Sequence, residues 1–128
     1  MIFQNVARIM LYVGDTDSSA EFWTDKIGFI VKEQFPGPDN TNAYVISPRN
    51  DSETVLALLD RDAVKKYSPE VDPGTPSLMF YCENVEETRE KLNAAGVTTG
   101  EVVEMGNTAV CNFCDPEGNY FAFTSGTI

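Results

Sequence analysis

The chain of 128 residues contains no histidine. This absence removes imidazole-based nucleophilic triads, proton shuttling near neutrality, and every zinc or iron site that needs imidazole. An all-oxygen Mg²⁺ or Ca²⁺ site is left open by it. Basic residues are also scarce: nine Lys and Arg stand among twenty Asp and Glu, a net charge of −11. They are scattered, which excludes a phosphate-binding footprint and with it nucleic acid and anionic membranes as partners. No apolar run approaches the ~18 residues that span a bilayer. The opening MIFQNVARIM lacks the pattern of a signal peptide, so the expected location is the cytoplasm.

Cysteine is limited to Cys82, Cys111 and Cys114, an odd count that argues against a disulfide framework. Cys111 and Cys114 have C-x-x-C spacing, but they lie in a strand running into a turn. Residues three apart there point to opposite faces, so the pair reads as structural rather than as a redox or metal motif.

What is present is an ordinary globular composition, 42% apolar, expected to form one domain over residues 1–128. RIMLYVGD (8–15) alternates as a strand, with Ile9, Leu11 and Val13 on one face and Arg8, Met10 and Tyr12 on the other. Capping residues Asp15 to Ser18 lead into a short helix, AEFWTDKI, that Gly28 ends. FIVKEQF, NAYVIS and ETVLALLD read as strands, and RDAVKKY as a short helix.

The pattern then restarts. SLMFYCEN (77–84) matches RIMLYVGD, with Met79 at the place of Met10 and Tyr81 at that of Tyr12. The helix VEETREKLNAAG ends at Gly96 as the first ends at Gly28. NTAVCNF and NYFAFTS follow as strands, setting Ala122 opposite Ala57. Two β-α-β-β-β modules result, at about 4–67 and 77–126, joined by a linker at about 68–76. Neither buries its sheet alone, so they must share a core or pair with another chain. In DPEGN (115–119), Asp115 caps, Pro116 presets φ, and Gly118 takes the left-handed position, so these residues read as turn geometry.

The stretches RIMLYVGDTDSSAEFWTDKIGF, SLMFYCENVEETREKLNAAGV and FCDPEGNYFAF, in this order and with the duplication, resemble the vicinal oxygen chelate superfamily. That group includes glyoxalases, extradiol dioxygenases, epimerases, fosfomycin-resistance enzymes and bleomycin-resistance proteins. The resemblance implies an α+β fold in which two βαβββ modules form a cup-shaped mixed sheet. In metal-dependent members four side chains, mostly His and Glu, face into the cup. Carried over, those positions fall at Arg8, Ala57, Ser77 and Ala122. A guanidinium, two methyl groups and a lone hydroxyl do not make a ligand set. The resemblance therefore implies no metal and no cofactor here, and metal-dependent chemistry is not expected.

Alternation carries Arg8, Met10, Tyr12, Val55, Ala57 and Leu59 into the cup from the first module. Ser77, Met79, Tyr81, Tyr120, Ala122 and Thr124 enter it from the second. Thioethers, phenols and small residues suit a pocket for a small organic molecule, aromatic or anionic, though the same residues also fill cores. Trp23 reads as packing between helix and sheet. Arg8, as a buried charge, needs a carboxylate, an anionic ligand group or a route to solvent.

Three readings follow. The first is a metal-free, bleomycin-resistance-like binder of a small organic ligand, with a homodimer implied by the resemblance. The second is an enzyme of glyoxalase, lyase or dioxygenase type, with Arg8 as electrophile and Tyr12, Tyr81 or an acidic loop residue as acid or base. The third is an interaction module with a filled cup.

Overall fold

In the computed structural model, which describes residues 1–126, the duplication appears as two four-stranded mixed sheets, the first accompanied by several helical segments and the second by one helix. The chain divides into two compact units, Met1–Gly74 and Thr75–Ile128.

In the first unit the strands are β1 (Arg8–Val13), β2 (Ile30–Pro36), β3 (Asn42–Ser47) and β4 (Val55–Asp60), in the spatial order β1-β4-β3-β2. β1 runs parallel to β4, and the other pairs are antiparallel. One face buries Leu11, Val13, Ile46, Leu56 and Leu58. Helix α1 (Thr16–Glu21) packs on β3 and β4. Asp15 caps it, accepting from the Ser18 backbone N–H at 3.0 Å. Asp17 then ties the helix to β3, accepting from the Tyr44 hydroxyl and from Asn42 Nδ2.

The first helix differs from the sequence reading in one respect. Past Glu21 it widens into a π-helical segment, Phe22–Ile27, before Gly28 closes it at φ 92°. Two adjacent aromatics must both be buried here, Phe22 at 7% exposure and Trp23 at 0%. A wider turn brings consecutive side chains closer in azimuth than an α-helix does. The Thr24 hydroxyl, donating to the Ala20 carbonyl at 2.9 Å, competes with the regular ladder at the same place. Trp23 sits between Phe22 (5.7 Å, edge-on) and Phe29 (5.1 Å), the packing role expected of it. Helix α2 (Arg61–Tyr67) follows β4 directly, capped by Asp60, which accepts from the Ala63 N–H at 2.9 Å.

In the second unit β5 (Met79–Tyr81), β6 (Val103–Met105), β7 (Thr108–Cys114) and β8 (Tyr120–Thr124) have the order β5-β8-β7-β6, the same topology. Helix α3 (Val85–Ala94) is capped by Asn84, which accepts from the Glu87 N–H at 2.9 Å. The core is aromatic: Phe113 lies 5.5 Å from Phe121 and 6.1 Å from Phe123, with Phe80 against Phe113 and Phe121.

Two strands depart from expectation. The strand expected over 77–84 is assigned only at Met79–Tyr81. Pro76 offers no N–H just before it, and Asn84 already caps the next helix. β6 was not read at all, because its three residues, Val103, Glu104 and Met105, are too few for their alternation to stand out before Gly106. Its pairing with β7, Val103 to Val110, is a tertiary fact.

Candidate functional site

Strand register decides which side chains share a face. In the first unit Arg8 pairs with Val55, Met10 with Ala57 and Tyr12 with Leu59. The Met10 row continues through Ala57 to Val45 and then to Glu33, across all four strands. Arg8, Met10, Tyr12 and Ala57 thus lie on the face opposite the one carrying Leu11 and Leu58. Much of this face is closed: Ala57 is 0% exposed, and Ala43, Val45 and Ser47 are buried beside it.

Arg8 is not the buried charge that the sequence suggested. Its side chain is 43% exposed, and its Nη2 lies 3.5 Å from Glu33 Oε2, itself 59% exposed. The first residue of an outer strand reaches solvent, so the guanidinium keeps its hydration and gains a carboxylate. Glu33 was missed because Lys32 is an extra residue in β2; the register shift between Val31 and Glu33 breaks simple alternation.

The second unit presents a more open face. The Met79 row runs through Ala122 to Asn112, and the Tyr81 row through Thr124 and Val110 to Val103. Tyr120 pairs with Cys114, and continuing the parallel register sets Ser77 beside Tyr120, just outside β5. Met79, Tyr81 and Tyr120 are 57%, 66% and 64% exposed, while Phe121 and Phe123 on the other side of the same strand are at 3% and 2%. Ala122 is half-buried between them. Asn112, Val110 and Val103 were not singled out from the sequence, although the alternation of TAVCNFC would have given the first two. The Thr124 hydroxyl is engaged with the Ala109 carbonyl at 2.8 Å.

The C-x-x-C pair behaves as structure. Cys111 is buried on the aromatic side, where burial pushes its thiol pKa up, and Cys114 faces the other way. Asp115 accepts from the Glu117 and Asn119 N–H groups at 3.0 and 2.8 Å and from Asn119 Nδ2 at 2.9 Å, and Gly118 has φ 82°. That carboxylate is consumed by its turn. Two depressions beside α3, of about 360 and 510 Å³, are rimmed mainly by charged side chains, including Glu86, Glu101, Glu83 and Glu87.

The four positions that would hold a metal in this kind of fold do not fit one. Arg8 is a cation already paired with Glu33, Ala57 and Ala122 carry no donor, and Ser77 is an exposed lone hydroxyl. Among the described residues, no group of three or more His, Cys, Asp or Glu is arranged to hold a metal ion.

Two units of this topology, each with a parallel pair flanked by antiparallel strands, define the class: an α+β fold of the glyoxalase and bleomycin-resistance type. The chain belongs to the Glyoxalase/Bleomycin resistance protein/Dioxygenase superfamily, whose family model matches residues 5–123. It is 33% identical over 113 residues to the uncharacterized protein YurT of Bacillus subtilis (strain 168), covering 85% of this chain and 89% of YurT. Its fold is similar to that of TnmS3, an antibiotic binding protein from Streptomyces sp. CB03234, at TM-score 0.79 and 22% identity over 96% of both chains. A superfamily member from Sphaerobacter thermophilus DSM 20745 matches at TM-score 0.81 and 20% identity, over 97% of this chain and 98% of that one. Among the described residues no helix is long and apolar enough to cross a membrane.

Proposed function

We propose that this protein binds a small organic molecule without a metal, and that the ligand rests against the open face of the second sheet. The observation that carries this reading is the contrast across β5 and β8. Met79, Tyr81 and Tyr120 stand more than half exposed on one side, while the other side is a packed aromatic core. Large apolar side chains left open together on a sheet face mark a binding surface. Small residues at Ala122 and Ser77, where metal-dependent relatives would carry ligands, leave space rather than donors. TnmS3 is an antibiotic binding protein of the same fold, which supports binding as the activity.

The enzymatic reading has less support. Its electrophile, Arg8, is paired with Glu33, and Tyr12 is only partly accessible. The protein is proposed to act as a homodimer, with the exposed Met1, Ile2, Phe3 and Val6 among the apolar groups that a second copy would cover. Three free thiols suit the reducing cytoplasm, the proposed location.

A thermal-shift screen of the purified protein against a broad panel of aromatic, heterocyclic and acidic metabolites and antibiotics tests the reading. A concentration-dependent rise in Tm is expected with at least one class, in the presence of EDTA. The reading is overturned if no class stabilises the protein, or if stabilisation or turnover requires a divalent metal.

A further inference from the structure

The open face of the second sheet differs from a generic apolar patch in its charge and its spacing. Tyr81 and Tyr120 stand on neighbouring strands. Tyr81 pairs with Thr124, four residues along β8 from Tyr120. At ~3.3 Å per residue the two tyrosines are set ~13 Å apart along the strands, with Met79, Ala122 and Asn112 as the floor between them. Two exposed phenol rings thus flank a low floor that carries a thioether, a methyl group and one amide.

The charge of this unit is one-sided. Residues 75–128 hold two basic residues, Arg89 and Lys91, against eight acidic ones. Both cations are engaged beside α3: Arg89 Nε donates to the Gly100 carbonyl at 2.8 Å, and Lys91 Nζ lies 3.2 Å from Glu87 Oε1. Among the described residues of β5, β7 and β8 no side chain is basic. An anion approaching this unit meets its net negative charge and no basic side chain on these three strands, whereas a cation is drawn to that charge and to the tyrosine rings.

We infer that the open face of the second sheet, with Tyr81 and Tyr120 flanking Met79, Ala122 and Asn112, selects flat aromatic ligands that are neutral or positively charged and rejects anionic ones. The inference rests on the proposed small-molecule binding and narrows its ligand class. The rings supply stacking or edge contacts, the Met79 sulfur meets a ring edge, and Asn112 supplies one directional hydrogen bond.

Three probes with one ring system separate charge from shape: 1-naphthylmethylammonium, 1-naphthylmethanol and 1-naphthoate, titrated into the full chain by calorimetry at low and moderate salt. The cation and the alcohol bind, the naphthoate binds at least about tenfold more weakly, and the cation's advantage shrinks with added salt. Tyr81→Ala and Tyr120→Ala each weaken the cation about tenfold, while Tyr81→Phe and Tyr120→Phe retain it, because the ring makes the contact. Naphthoate binding as tightly as the cation overturns the charge selection. Binding that is indifferent to both alanine variants overturns the site; in either case the broader reading of a small-molecule binder survives. Binding by none of the three overturns the ligand class, and the broad screen then decides independently whether the protein binds small molecules at all.

Discussion

Arg8 and Glu33 stand on the two outermost strands of the first sheet, yet Arg8 Nη2 and Glu33 Oε2 are 3.5 Å apart. Three strand spacings of ~4.8 Å separate β1 from β2 in a flat sheet. An arginine and a glutamate can close that gap only if the sheet curls toward the face they share, and the bulge at Lys32 adds to the curl. The ion pair therefore reports the curvature rather than creating it.

The energetic consequence is small. Both side chains are substantially exposed, so Arg8→Ala should change the stability by less than ~1 kcal/mol, not by the ~3–5 kcal/mol of a broken buried pair. Urea denaturation at low and high salt checks this. A loss above ~2 kcal/mol would mean that the guanidinium is desolvated in solution.

The two faces of β8 make opposite predictions from adjacent residues. Phe121→Ala removes a ring that is 3% exposed and packed 5.5 Å from Phe113, and should cost ~3–5 kcal/mol. Tyr120→Ala, one residue earlier and 64% exposed, should cost less than ~1 kcal/mol. Denaturant midpoints of the two variants decide it; a comparable loss in both would show the Tyr120 face to be buried in solution.

The chain's own repetition explains how much of this was legible. Met10 pairs with Ala57 and Met79 with Ala122, so the correspondence read between the halves holds at the level of register. The caps at Asp15, Asp60 and Asn84 and the left-handed Gly28, Gly96 and Gly118 were visible because each has a local cause. β6, the π-helical segment at Phe22 and the Glu33 partner of Arg8 were not. A three-residue strand, a helix widened by two rings that must both be buried, and a bulge that shifts alternation by one all depend on what lies opposite. The exposure of Arg8 was misjudged for a similar reason, since strand alternation gives the face but not the depth.

Asp17 links the first helix to β3, and its carboxyl is held below the usual range, chiefly by the Tyr44 hydroxyl and then by Asn42. A depressed folded-state pKa stabilises the fold above the ordinary carboxylate value and loses that contribution as pH falls through the folded one. Tyr44 is shifted the opposite way by the same bond; its contribution is present below the ordinary phenol value and is lost at more alkaline pH. Tyr44→Phe should move the Asp17 pKa upward in an NMR carboxyl titration and flatten the acid limb of the stability profile. An unmoved Asp17 would leave Asn42 as the dominant partner.

The DPEGN turn separates side-chain from backbone effects. Asp115→Ala strips the buried acceptor from three donors of its turn and should cost ~2–3 kcal/mol. Gly118→Ala meets nothing within 4 Å, so only the left-handed φ of 82° is penalised, at ~1–2 kcal/mol. If Gly118→Ala proves the more harmful, the carboxylate network matters less than its geometry implies.

The last prediction concerns the metal. One lost donor in a chelate site can be replaced by water or by a neighbour. Here the four corresponding positions are Arg8, Ala57, Ser77 and Ala122, and the first is a cation paired with Glu33. As side chains these offer a divalent ion one hydroxyl, two methyl groups and a positive charge, so that it would keep most of its own water. The purified protein should therefore contain no stoichiometric divalent metal. EDTA should leave its Tm unchanged, and added Zn²⁺, Ni²⁺, Mn²⁺ or Mg²⁺ should not raise it. A metal at 100 times its Kd would stabilise the fold by ~2.7 kcal/mol, a shift on the order of 10 °C for a domain of this size. A shift that large could not be missed. About one metal per chain by elemental analysis, together with an EDTA-sensitive Tm, would show that other oxygen donors gather in solution and would return the protein to the metal-dependent side of its superfamily.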